Sequence, residues 1–163
     1  MTWVHFAIYG LLGWSGEIMF TSTYDLVTGA RQADGDRPGE RLPITRGDRL
    51  ALCGRTYLWM FPIYGLCAFG FEPLHDAIRG WAWPLRGLIY MAGIFLIEAI
   101  TGLLLKVTIG RCPWDYSYAR TQVAGVIRLD YAPVWFAAGL VLERVHDVLR
   151  TIDSPLRTAL FGA

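Results

Sequence analysis

The stretch "RGLIYMAGIFLIEAITGLLLKV", residues 86–107, constrains this chain more than any other. It runs 20 residues or so with a single acid, Glu98, between Arg86 and Lys106. As a helix, such a segment matches the hydrocarbon thickness of a bilayer. It is apolar on every side and not along one stripe, so a water-facing helix packed on a core does not explain it. Charged residues make up 18% of the 163-residue chain, below the roughly 25% usual for soluble domains. The low charge and the block-like apolar runs point together to lipid as the surrounding medium.

Three further runs extend the pattern. "VHFAIYGLLGWSGEIMFTST" is long enough to span and contains one carboxylate, Glu17. It lacks a positive n-region and an A-x-A site, so it reads as a retained helix and not a cleaved leader. "YLWMFPIYGLCAFGF" is short and interrupted by Pro62; it reaches spanning length if the helix starts near Leu50, with Arg55 snorkelling to the interface. "YAPVWFAAGLVLERVHDVL" begins apolar and turns amphipathic after Leu142. The expected fold is therefore all-α: a polytopic membrane protein of about four transmembrane helices, residues 4–23, 51–71, 86–107 and 131–149, in one small bundle.

The connections carry their own signals. Residues 25–49, rich in Gly, Asp and Arg with Pro38 and Pro43, read as a solvent-exposed polar loop without a fixed fold. "EPLHDAIRGWAWP" links the second and third runs. Its Trp81 and Trp83 suit an interfacial belt, and Glu72, His75 and Asp76 read as solvated. Residues 108–128 form the third loop, which contains "WDYS".

Basic residues orient the bundle. Arg31, Arg37, Arg41, Arg46, Arg49 and Arg55 flank the first loop, and Lys106, Arg111, Arg120 and Arg128 the third. Only Arg79, Arg86, Arg144, Arg150 and Arg157 lie on the other side. The bias places loops 25–49 and 108–128 in the cytoplasm, the termini outside, and the chain in a cell membrane, read as bacterial.

Acids at membrane depth are costly and mark functional sites by default. Glu98 is the leading candidate, with Thr101 and Gly102 on the same helix face offering a small surface for close approach. Glu17 falls in the same half of the bilayer, because the first and third helices run in the same direction. "CPWDYS" leaves the third helix at that end, so one polar pocket closed by the loop would unite Glu17, Glu98, Trp114, Asp115 and Tyr116. The alternative for each is structural: a protonated acid bonding between helices, Trp114 and Tyr116 as interface anchors, Asp115 as a helix cap.

Several functions are disfavoured. A net charge of +1 gives no electrostatic basis for nucleic-acid binding. The P-loop pattern and the G-x-S-x-G elbow are absent from the sequence. His5, His75 and His146 have no HExxH spacing, and Cys53, Cys67 and Cys112 form no CxxC pair, so neither a metal site nor a cofactor is expected.

The segments "AIYGLLGWSGEIMFTSTYD", "FPIYG", "EAITGLLL", "CPWDYS", "GVIRLDYAPVWF" and "LVLER", in this order, carry a resemblance. Together they resemble the bacterial CmpB-like family labelled putative ABC-transporter type IV, and the vertebrate transmembrane protein 229 family still more closely. The resemblance implies a small multi-pass membrane protein. It carries motif acids onto Glu17, Glu72, Glu98, Asp115 and Glu143, and aromatics onto Trp114, Tyr116 and Trp135. Bacterial members commonly place an asparagine where Gln122 stands here, which adds Gln122 to the candidate ligand contacts with one more methylene of reach.

The resulting expectation is an intramembrane polar pocket lined by Glu17, Glu98, Trp114, Asp115, Tyr116 and Gln122. It would bind or transport a small molecule or a lipid headgroup, with no assigned catalytic residue. The partners expected are the lipid bilayer, such a ligand, and a second copy or a partner membrane subunit. Two alternatives stand beside it: a lipid-modifying enzyme using Glu98 or Glu17 as acid and base, and a structural or regulatory subunit.

Overall fold

The computed structural model describes residues 2–32, 41–45, 47, 53–110, 112 and 114–162. Helix α1, Thr2–Thr28, is 27 residues long, about 40 Å at 1.5 Å per residue. Gly29 ends it with a φ of +69°, a conformation glycine adopts without steric cost. A short antiparallel hairpin follows: β1, Ala30–Gln32, pairs with β2, Arg41–Pro43, with Ala30 opposite Pro43. The expected polar loop thus holds the end of a helix and a hairpin. Its residues 33–40, 46 and 48–49, Pro38 among them, lie outside the described residues, as do Arg111 and Pro113 of the third loop.

The second apolar run departs most from a single spanning helix. Cys53 to Tyr57 has no regular secondary structure, and only then do helix α2, Met60–Gly65, and a 3-10 turn, Leu66–Ala68, begin. Pro62 explains the late start. It sits within the first helical turn, where its missing N–H is harmless; a helix begun earlier would need that N–H and would clash with the ring. Helix α3, Phe71–Ile78, occupies the stretch expected as a connection.

The strand-like piece is stitched to α1. Thr21 Oγ1 accepts the Arg55 amide at 2.9 Å, Trp14 Nε1 donates to the Tyr57 carbonyl at 3.0 Å, and Gly54 lies directly over the Ile18 carbonyl. These side-chain bonds meet part of the hydrogen-bonding need of backbone that has no helix of its own.

Helix α4, Trp83–Ile109, matches the third run and closes at Gly110 with φ +82°. A further small hairpin, β3 Gln122–Val123 and β4 Ile127–Arg128, leads through a 3-10 turn, Leu129–Tyr131, into α5, Ala132–Phe161. Helix α5 runs 12 residues past the expected end at 149. Its second half carries a packed face: Leu149 joins Tyr9 and Ala68, with Phe6, Leu142 and Val145 around them. Contacts of Arg86 with Glu143 and Glu98 with Trp135 make α4 and α5 antiparallel, and those of His5 with Asp153 and Tyr9 with His146 do the same for α1 and α5.

The chain is predominantly helical, and among the described helices Trp83–Ile109 alone is long and apolar enough to cross a membrane. Only 17% of its most apolar window is buried. Leu88, Leu96, Ile100, Leu103, Leu104 and Val107 face outward, whereas His5, Ser22, His75, Glu143 and His146 are inside. Soluble folds rarely expose apolar surface on this scale.

Candidate functional site

Glu98 lies midway along α4, and two aromatic donors reach it from outside that helix. Trp135 of α5 donates its indole N–H to Glu98 Oε2 at 3.1 Å, and the Tyr116 hydroxyl approaches Oε1 at 3.5 Å. Tyr131 packs edge-on against both Tyr116 and Trp135, with ring centroids 5.9 and 6.0 Å away. The carboxylate is therefore held by two aromatic side chains, and Tyr131 packs against both of them.

Glu17, on α1, has an equivalent arrangement. Thr56 Oγ1 donates to its Oε2 at 2.6 Å and the Tyr64 hydroxyl at 3.3 Å. Tyr64, on α2, thus joins Thr56 as a second neutral donor to this acid. Among the described residues no cationic side chain pairs with Glu17 or Glu98. Both acids are held by neutral donors, which leaves each one able to accept a further donor.

The "WDYS" segment folds against the end of α4 through its own bonds. Asp115 Oδ1 accepts the Ser117 amide at 2.9 Å and its hydroxyl, an Asx turn in place of a helix cap. The Ser117 hydroxyl, helped by the Lys106 charge, holds the Asp115 carboxyl below the ordinary range even though burial opposes it. Trp114 Nε1 donates to the Val126 carbonyl at 3.2 Å, and Gln122 Oε1 accepts the Gly125 amide at 2.6 Å. Ala124 and Gly125 both take positive φ, +53° and +69°, as a tight hairpin turn of the primed type demands. Val126, wholly buried, seats on Gly102, where an added Cβ would stand 2.9 Å from it. Burial beside this contact pushes the Cys112 thiol up to about 11.

Of the six residues read from the sequence, the structure brings Glu98 and Tyr116 together, while Glu17 has its own partners in Thr56 and Tyr64. Trp114, Asp115 and Gln122 spend their polar atoms inside the loop. Thr56, Tyr64 and Tyr131 were missed, and Trp135 had been marked only through the family resemblance. An aromatic hydroxyl or indole in an apolar run gives no sequence signal of which acid it will meet.

A second polar cluster occupies the opposite end of the bundle, about 18 Å from Glu98 along α4, counting from Arg86 at 1.5 Å per residue. Glu143, 2% exposed, accepts Arg86 Nε at 2.7 Å and Nη2 at 2.8 Å, Arg79 at 2.6 Å and the Tyr90 hydroxyl at 3.1 Å. His5 bridges Glu72 and Asp153, both at 2.7 Å. The solvated reading is corrected for His75, which is only 2% exposed and lies against His146, with ring centroids 4.7 Å apart, whereas Asp76 is exposed. A cleft of about 670 Å³ opens beside them, lined by His75, Asp76, Arg79, Asp147, Arg150 and Thr151. None of the six expected residues lines it. The three histidines converge from α1, α3 and α5, a meeting that short-range spacing does not reveal.

No solved structure matches the chain. The family model described as "Putative ABC-transporter type IV" matches residues 4–158. Nearly the whole chain is covered, both polar clusters included, and this protein belongs to that family.

Proposed function

We propose that the chain is a multi-pass membrane component that binds a small molecule or a lipid headgroup between α1, α2, α4 and α5, as part of a transport process. The observation that carries this reading is Glu98: an acid in the middle of an apolar helix, bonded by Trp135 and Tyr116 and by no cation among the described residues. Intramembrane acids are costly and cluster where ligands and ions pass. A carboxylate held by Tyr116 and Trp135, with Tyr131 packed on both rings, suits a ligand with a cationic amine, which gains from the acid and from the faces of the rings.

In this proposal the chain crosses the bilayer four times, through α1, residues 53–70, α4 and the first half of α5. Loops 25–49 and 108–128 face the cytoplasm of a bacterial cell. The unwound segment Cys53–Tyr57 is compatible with membrane depth because α1 side chains bond its backbone; irregular backbone is tolerated there only when buried against protein. Half-unwound elements of this kind border ligand sites in many transporters. Asp115, Trp114 and Gln122 shape the loop that closes the pocket.

A photoreactive phenylalanine analogue in place of Tyr116 tests the reading. Irradiated membranes should yield a covalent adduct of a small molecule or lipid on the chain. Crosslinks to α4 alone, with nothing added in mass, would favour a purely structural role for Glu98.

A further inference from the structure

We propose that His75, Asp76 and His146 form a site for a divalent transition-metal ion of the zinc class, at the end of the bundle opposite Glu98. One ligand atom from each of the three residues lies within 4.8 Å of the others. Asp76 Oδ1 is 3.3 Å from His75 Nδ1 and 3.3 Å from His146 Nε2. Those separations are long for charge-assisted hydrogen bonds, which run about 2.7–2.9 Å. They match the edge of a tetrahedron with metal–ligand bonds of about 2.0–2.1 Å, which is about 3.3–3.4 Å.

The surroundings of the two imidazoles point the same way. A ligating histidine usually gives its other ring nitrogen to a carboxylate, which fixes the tautomer. Behind His146, Nδ1 lies 3.4 Å from Glu72 Oε1 and 3.4 Å from the Tyr9 hydroxyl. Behind His75, Nε2 faces Asp147 Oδ1 at 3.8 Å. That nitrogen is buried and has no hydrogen-bond partner among the described residues, on a side chain 2% exposed. A buried polar group left without a partner is destabilising. A metal on Nδ1 would fix Nε2 as the protonated nitrogen and aim it at Asp147.

Two imidazoles and one carboxylate suit zinc or cobalt better than calcium or magnesium, which prefer all-oxygen shells. The cleft beside Asp76 leaves room for a solvent molecule as the fourth ligand. Arg150 donates to Asp76 Oδ1 at 2.8 Å and acts as the charge partner when no cation is bound. Sequence spacing hides the site, since its ligands come from adjacent positions on α3 and a distant position on α5.

The test is a cobalt titration of the full chain in detergent, after treatment with chelator, followed by displacement with zinc. Wild type should bind one equivalent and develop the visible absorption of a low-symmetry, four- or five-coordinate ion, which zinc then abolishes. Asp76→Asn and His146→Gln should remove that spectrum, each checked for an unchanged helical circular dichroism. Asp147→Asn, which touches no ligand atom of the metal, should keep the spectrum and weaken affinity about 10–100-fold. Cobalt affinity and spectra indistinguishable between wild type and a folded Asp76→Asn variant would overturn the proposal. So would wild type that binds no cobalt.

Discussion

Arg86 grips Glu143 with two nitrogens, Nε at 2.7 Å from Oε2 and Nη2 at 2.8 Å from Oε1, across the interface of α4 and α5. Glu143 is nearly inaccessible and Arg86 mostly covered, so neither charge can fall back on water. Breaking such a pair from one side strands the other charge, at a cost of about 3–5 kcal/mol. Glu143→Gln, which strands Arg86, should therefore lower the unfolding midpoint in detergent sharply, and Arg86→Gln should lower it less, because Arg79 and Tyr90 still bond Glu143. The double variant should lose less than the two single losses added together. Additive losses would mean that the ion pair contributes little as a pair.

Gly54 lies where a Cβ would collide with the Ile18 carbonyl, whereas Gly16, two residues before Ile18 on α1, has open space around it. Gly54→Ala should destabilise the fold and loosen the bonds of Thr21 and Trp14 to the unwound segment. Gly16→Ala should leave stability unchanged or raise it by up to about 1 kcal/mol, the helix-propensity difference. Thermal unfolding of both variants, followed by circular dichroism, checks the contrast.

Cys53 is exposed and Cys112 buried, with its thiol pushed up to about 11 by that burial. A thiol so shifted stays protonated near pH 8, and the thiolate is the form that reacts. A membrane-impermeant maleimide should modify Cys53 and spare Cys112 at that pH. With the proposed orientation, Cys53 reacts from the cytoplasmic side, and an Ala159→Cys variant from the other. Reaction of Cys53 from outside intact cells would reverse the topology.

Much of this architecture was legible in the sequence, and what was hidden has physical causes. Residues 86–107 read correctly as a helix because a long run of apolar residues with one acid has few alternatives. Residues 51–71 read as a span, but Pro62 delays helix α2 and Gly54 lets extended backbone lie against α1, a packing that hydropathy cannot express. Glu98 stood out through its cost in lipid. Its partners did not, because Tyr116 and Trp135 meet it only when the loop folds back and α5 packs on α4. His75 looked solvated because Glu72 and Asp76 lie near it in sequence, yet the rings of Phe71 and His146 cover it in space.

The proposed function rests on Glu98 as the acid that holds a ligand. Native mass spectrometry in nanodiscs made with cell lipids, comparing wild type with Glu98→Gln and Trp135→Phe, tests it most directly. Wild type should retain a bound molecule that Glu98→Gln loses and Trp135→Phe holds more weakly, with all three proteins folded. Identical spectra from the three folded proteins would contradict it, and would leave Glu98 as an acid that joins α4 to α5.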